Sequence, residues 1–510
     1  MTVLLALPVL LPLLGAALSL LLGTRPDLQR VIGMTVLSAV VVIASVLVYA
    51  TDTEGPVVLQ LGGYAAPFGI TLIADRLASL LLLVSAVVTL AVLVFSIGQR
   101  ITDYGREIAS TTFQPAYLVL CAGVSLAYIT GDLFNLFVAF EIMLSASYVL
   151  ITRRTSARRV RAGMTYVIVS LTSSLLFLTM IGLVYAATGT INLADLSVAF
   201  RDLSPGVQTS IALLATVVFG IKSALVPLHF WLPDSYPTAP APITAVFAGL
   251  LTKVGVYALI RTHTLVFQND VVWNVLLVVA ILTMIVGALG AIAQEDINRL
   301  LSFLLVSHIG FMLFGLGMAT VVGVTGAILY VVHHITVQAA LFLVSGLLTR
   351  RTGTVSLREM SGVAKSAPLI AALFAVPALN LAGIPPFSGF IAKITLFRAG
   401  AESTTVLAYT ATAAAVLTSF LTLYAMTRVW VGAFWGAKRE PFPDDDPTDE
   451  LTVGTGLTNR PMVFATSVLV AAGVVIALAA GPLSAMSERA AEDLMGGDQY
   501  RGVVLTEGRG

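Results

Sequence analysis

The sequence predicts an all-α polytopic membrane protein of about fourteen transmembrane helices, with two inverted five-helix repeats that each contain a broken helix. Three observations lead there. Of 510 residues, 58% are hydrophobic and 11% charged, whereas soluble domains run at about 45–50% and 25%; so few charges cannot cover a water-soluble surface. Apolar runs long enough to cross a ~30 Å hydrocarbon core recur along the whole chain. Prolines interrupt two of those runs, in IKSALVPLHFWLPD and in AGIPPFSGF, and an internal proline removes a helical hydrogen bond and clashes with the preceding turn. The balance of 28 Lys+Arg against 27 Asp+Glu leaves no basic excess for binding nucleic acid. The single cysteine, Cys121, excludes a disulfide framework, a cysteine zinc site and a thiolate-ligated iron–sulfur cluster. No metal, cofactor or enzymatic activity is expected, and without a GxxxxGK[ST] loop ATP does not drive this chain.

The first run, 2–22, has no basic n-region and is too long for a signal peptide, so it reads as a retained span with its N-terminus outside. Further spans are predicted at 31–50, 71–98, 112–130, 133–151, 163–187, 208–227, 242–262, 271–292, 299–318, 321–348, 368–398, 404–434 and 461–483. The run 368–398 contains Pro377, Pro385 and Pro386 and reads as a broken helix. Arg25 and Arg30, then Arg100 and Arg106, then Arg153, Arg154, Arg158, Arg159 and Arg161, then Arg350, Arg351, Arg358 and Lys365 fall in alternate loops. Those loops are expected on the cytoplasmic side, with both termini outside.

The chain divides into N-terminal helices (1–98), a first repeat (112–262), a second repeat (271–434), a cytoplasmic loop (436–460), and a last helix with a polar tail (461–510). With five spans in each repeat, the second must enter the membrane inverted relative to the first, an arrangement found in transporters with ion sites near the midplane. The acidic run Asp444, Asp445 and Asp446 reads as part of a solvated loop rather than a cation site.

Ionisable residues within apolar spans carry the functional signal. Such a group costs ~2.5–3.5 kcal/mol at mid-bilayer on insertion scales and normally faces a protein interior or a hydrated cavity. Glu141, nine residues past Asp132, lies ~14 Å into its helix at 1.5 Å per residue. Lys222 precedes the break at Pro227, Lys253 lies at mid-span with Tyr257 one turn on, and Lys393 follows Pro385 and Pro386. The competing reading of Lys222 and of Lys393 is a stem that snorkels to the headgroups, and that of Lys253 is an amine pinned by a local carboxylate. His333 and His334 are deep in one span, and adjacent helical residues point ~100° apart, so they cannot share a metal as an i,i+4 pair does. One of them facing a hydrated core suits a proton relay. His229 is expected to stabilise the broken segment, and the role of His308 stays open. Burial and a neighbouring carboxylate push a lysine's proton affinity in opposite directions, so a row of such groups can conduct protons.

The stretches GDLFNLFVAFEIMLSASYVLI, IKSALVPLHFWLPDSYPTAPAPITAVFAGLLTKVGVYALIR and AGIPPFSGFIAKI resemble the antiporter-like subunit family shared by Mrp cation/proton antiporters and the membrane arm of respiratory complex I. TGDLFNLFVAFEIML and SYPTAPAPITAVFAGLLTKVGVYAL are more similar to the Mrp branch. The resemblance implies that Glu141 and Lys222 form a coupled pair, that Lys253 passes protons onward, that His333 or His334 bridges the halves, and that Lys393 is the terminal group. It also implies other membrane subunits as partners, protons and Na+ as the transported ions, and a bacterial cell membrane as the location. The family often reads HHxxxK where this chain has Gln338, an amide that orients water but holds no proton. Hard cations prefer oxygen ligands, and this lysine-rich series points to protons here and Na+ in a neighbour. The alternative within the family is a proton-pumping subunit of complex I or of a membrane-bound hydrogenase. Outside it stand a haem-ligating membrane cytochrome, which needs facing histidines but no lysines, and a purely structural subunit.

Overall fold

A computed structural model describes residues 2–99, 112–152, 157–436 and 459–506. In chain order it comprises α1 (Thr2–Leu21), α2 (Pro26–Thr53), a hairpin of β1 (Val57–Gln60) and β2 (Thr71–Ala74), α3 (Arg76–Gln99), α4 (Phe113–Ile129), α5 (Leu133–Thr152) and α6 (Ala157–Thr188). There follow α7 (Leu193–Ala199), α8 (Pro205–Ser223), α9 (Trp231–Ser235), α10 (Ala241–Leu265), α11 (Asp270–Ile292), α12 (Ile297–Gly317) and α13 (Val321–Thr352). The chain continues through α14 (Val363–Ser366), α15 (Pro368–Ala382), α16 (Ser388–Ala401), α17 (Val406–Phe434), α18 (Arg460–Leu478), α19 (Ala480–Gly496) and α20 (Asp498–Thr506). Twelve described helices are long and apolar enough to cross a membrane, and α4 and α15 are shorter apolar helices. The protein is an all-α multi-pass membrane protein. Arg100, Arg106, Arg153, Arg154, Asp444, Asp445 and Asp446 lie outside the described residues, as do the side chains of Arg158 and Arg159.

Local chemistry sets the helix ends. Asn192, Asn269, Asp296, Thr320 and Thr405 accept backbone N–H bonds in the first turns of α7, α11, α12, α13 and α17, which satisfies donors that have no partner within the helix. Packing then sorts the helices by depth. α10 and α13 are buried throughout their apolar windows, whereas α2, α17 and α18 expose most of theirs, as expected where lipid rather than water solvates the outer helices. α13 is central: it packs on α3, α10, α12, α15, α16, α18 and α19.

Three expectations need correction. Residues 71–74, read as the start of a span, form strand β2, paired antiparallel with β1 from Val57↔Ala74 to Gln60↔Thr71. Asp75 then starts α3 by accepting the Ala78 N–H at 2.9 Å; a short apolar run does not by itself distinguish strand from helix. The seventh predicted span ends as a helix at Ser223, before Pro227: Ala224 is left-handed (φ 58) and the Leu225 N–H donates back to Gly220, because a proline in a continuing helix lacks the N–H for, and clashes with, the carbonyl four residues back, here that of Ser223. The last span stops at Leu478, and the expected polar tail is the helix pair α19 and α20, docked on the hairpin face of the bundle.

The hairpin extends across the first helical set. Thr130 bridges Leu72, and Asp132 bridges Asn192. On the second set Asp296 bridges Ser356 in the same way. Both bridges join the start of one helix to the loop after the next.

Candidate functional site

Glu141 is half-buried on α5, and Lys222 is buried in the last turn of α8. Ser174 on α6 lies between them: its hydroxyl donates to Glu141 Oε1 and accepts from Lys222 Nζ at 3.2 Å. No ion pair joins Glu141 directly to Lys222, so a hydroxyl links the two charges. The ammonium also lies 4.8 Å from the centroid of the Phe140 ring, a favourable cation–π placement.

Sequence places the break next to this amine. Left-handed Ala224 turns the chain out of α8, and Trp231 Nε1 donates back to Ile221 O at 3.2 Å. Pro227 sits in the turn. Gly255 of α10 permits close approach here, since a Cβ at that position would lie 2.4 Å from Ser223 Oγ and 2.9 Å from Ser223 N. A cavity of about 20 Å³, lined by Phe140, Ser170, Ser173, Lys222, Trp231 and Tyr236, opens beside the amine and has room for a water molecule. The buried Tyr236 hydroxyl has no protein partner.

Lys253 is fully buried on α10, two residues past a π-helical turn at Phe247–Leu251. Its Nζ donates to Ala248 O at 2.6 Å, a carbonyl in that turn, and lies 3.4 Å from Thr252 Oγ1. Tyr257 engages other partners, donating to Tyr128 O at 2.7 Å and accepting from Arg261 Nε at 3.2 Å. The π turn packs on α13, where Gly249 faces Ile335 O and Ala339.

In the second half, α13 brings His333 and His334 into a buried cluster. His334 stacks on His308 with ring centroids 5.4 Å apart, and His308 Nδ1 lies 2.6 Å from the Tyr330 hydroxyl and its Nε2 3.2 Å from Thr422 Oγ1. His308, left open on sequence grounds, therefore belongs to the cluster. His333 Nδ1 lies 3.2 Å from Ser388 Oγ, next to Asn380 across the second break. Pro385 and Pro386 lie in that break, between Gly383 and α16. Lys393 turns back across it and donates to Leu381 O at 3.1 Å and Ala382 O at 2.8 Å, carbonyls at the free end of α15; a lysine satisfying exposed helix-end carbonyls is favourable. Its Nζ lies 4.9 Å from the Phe311 ring, which stacks on Tyr330. Gln338 donates to Leu301 O at 3.0 Å. His333 Nε2, both His334 nitrogens and Gln338 Oε1 are buried without protein partners. Buried polar atoms without partners are rare in native folds and mark sites of ordered water. His229, in the first break, is half-buried with Nδ1 unpartnered.

The sequence reading passes over Ser174, one of several serines on its helix, and Arg261, which reads as the polar end of a span. Arg261 forms a buried bidentate pair with Asp75, at 2.5 and 2.7 Å. Burial opposes ionisation of Asp75, but the guanidinium overrides it and holds the carboxyl below its ordinary value. Among the described residues no group of three His, Cys, Asp or Glu side chains is placed to hold a metal ion.

A multi-pass bundle whose helices break beside buried amines and a carboxylate has the architecture of ion-translocating membrane proteins. The chain belongs to the family described as NADH:quinone oxidoreductase/Mrp antiporter, which it matches over residues 130–422. It is 39% identical to the D subunit of the Na+/H+ antiporter of Alkalihalophilus pseudofirmus, over 98% of this chain and 99% of that protein. To its namesake in Bacillus subtilis it is 36% identical, with the same coverage. A chain in the solved Mrp complex of Dietzia sp. superposes with a TM-score of 0.90 at 32% identity, covering 99% of this chain and all of that one. A chain of an archaeal membrane-bound sulfane sulfur reductase superposes at 0.87 with 24% identity, a likeness of fold.

Proposed function

We propose that the chain is the proton-translocating D subunit of a multisubunit Na+/H+ antiporter in a bacterial cell membrane. It assembles with other membrane subunits and moves protons along Glu141, Lys222, Lys253, the His333/His334 cluster and Lys393. The observation that carries this reading is the Glu141–Ser174–Lys222 link beside the first break. A hydroxyl is both donor and acceptor, so it relays a proton between carboxylate and amine without their direct contact. The two five-helix sets act as inverted repeats with both termini outside. In support, the Asp132–Asn192 and Asp296–Ser356 bridges have equal sequence spacing, and Ser174 and Gln338 lie at the same offset after Asp132 and Asp296 respectively. Gln338 thus stands in the second half where the linking hydroxyl stands in the first. The full-length relatives favour the antiporter over the alternative of a redox-driven pump.

Two variants test the reading. Glu141→Gln keeps the side-chain volume and removes the charge; Na+-driven proton efflux from everted vesicles is expected to fall about a hundredfold, within the range for losing a positioned acid–base group. Ser174→Ala is milder, about tenfold, since a hydrogen bond to a charged group is worth ~1.5–3 kcal/mol. Wild-type rates in an assembled Glu141→Gln complex would refute the proposal.

A further inference from the structure

The relay described above leaves a second buried polar cluster unused, at the hairpin end of the first half. Asp132 caps α5 by accepting the Asn135 N–H at 2.8 Å. It is 5% exposed and has no cationic partner among the described residues. Burial raises its carboxyl above the ordinary value despite two backbone N–H bonds. Tyr500 of α20 lies at the same end of α5: its ring lies 5.2 Å from the Arg261 guanidinium, and its hydroxyl lies against Gly131, the residue before Asp132, where an added Cβ would be 3.2 Å away. That hydroxyl is buried and has no protein partner. A docked surface helix gains nothing in packing from a phenol over a phenyl ring, and burying the hydroxyl unpartnered costs ~1–3 kcal/mol. Lys253, Tyr257 and Arg261 are spaced four residues apart on one face of α10 and lead from the mid-membrane amine to this cluster.

We propose that Asp132 and Tyr500 form the proton-access site of the first half on the hairpin face, an assignment that rests on the proton-translocating reading above. The Asp132 carboxylate takes a proton from water at that face. It gives it up through the Tyr500 hydroxyl and bridging water to the polar face of α10, where the Lys253 amine gains it as ammonium. The proton alone moves, and no oxidant, reductant or other reactant takes part. The charged and titratable groups facing the pair are Arg261 and Tyr257 from α10 and Asp75 from the junction of β2 and α3. Asp75 is neutralised by Arg261, so the free carboxyl is that of Asp132.

Two conservative variants separate proton transfer from structure. Asparagine caps a helix as well as aspartate does, and phenylalanine at 500 loses no protein hydrogen bond. In everted vesicles carrying the whole complex, Asp132→Asn is expected to cut Na+-driven proton efflux by about tenfold or more and to shift its pH profile. Tyr500→Phe is expected to cut it severalfold. Both should assemble normally and melt like the wild type, and Asp132→Glu should restore part of the rate. Wild-type rates and pH profiles in both variants overturn the assignment, as does a rate loss that tracks a loss of assembled complex. Lys222→Ala in parallel distinguishes the two levels. If it is inactive while Asp132→Asn and Tyr500→Phe are unchanged, only the access site falls; if it transports normally, the relay itself falls.

Discussion

Lys222→Ala is expected to reduce Na+-driven proton efflux to background while the complex still assembles. The amine is the only cation that Ser174 connects to Glu141 among the described residues. It sits where α8 ends and left-handed Ala224 begins the break, so no neighbouring residue of its helix reaches the same position. Lys222 is the amine of the coupled pair on which the relay depends, and loss of a single positioned acid–base group already costs ~10²–10⁴-fold. Folding should suffer far less. Lys222 makes no direct ion pair among the described residues, and a buried charge without one contributes little stability against its desolvation cost. Lys222→Arg isolates proton exchange from charge. Guanidinium keeps the positive charge but holds its proton at all physiological pH values, so this variant should also assemble and fail to transport. Antiport at the wild-type rate in either assembled variant would end the relay hypothesis.

The span pattern was legible because lipid leaves only one solution for a long apolar run: backbone groups must bond within the segment, so it becomes a helix. The breaks were legible for a related reason, since Pro227, Pro385 and Pro386 cannot continue a helix. What stayed hidden depends on tertiary contact. TLIA has too few residues for periodicity to decide, and becomes a strand because VVLQ pairs with it. Tail residues 480–506 look like a solvated end in sequence, yet Met486, Ala490, Ala491 and Leu494 bury one stripe of α19 against the bundle. Candidate carboxylate and amines stood out as charges in apolar runs, whereas Ser174, His308 and Tyr500 are polar residues of ordinary kinds. Only the fold reveals that Ser174 links two charges, that His308 stacks on His334, and that the Tyr500 hydroxyl lies against Gly131, beside Asp132.

Asp75→Ala is expected to cost about 3–5 kcal/mol of stability, the usual penalty for leaving one partner of a buried pair uncompensated. Thermal unfolding of the detergent-solubilised protein reads it directly. Arg261 is 3% exposed, and its other neighbours are the Tyr257 hydroxyl and two aromatic faces, which cannot replace a carboxylate. The variant also loses the cap on the Ala78 N–H, worth ~1 kcal/mol. Replacing both partners, as Asp75→Leu with Arg261→Met, should recover most of the loss, because no charge is then stranded. The pH dependence has a definite sign. Asp75 is held below its ordinary value in the folded state, so its contribution is complete above the unfolded carboxylate range, near ~3.9, and is lost as pH falls through the lowered folded value. The wild type should therefore lose stability in acid more steeply than the double variant; parallel curves would show that the pair is not ionised. Arg76, the next residue, contacts Asp52 at 3.0 Å and Asp493 of α19 at 2.5 Å, and Arg489 of α19 also holds Asp52. These pairs are more exposed, so Arg76→Ala should cost only ~1 kcal/mol. Two consecutive residues thus tie the helix of Lys253 to the docked C-terminal helix, and the inner one carries most of the energy.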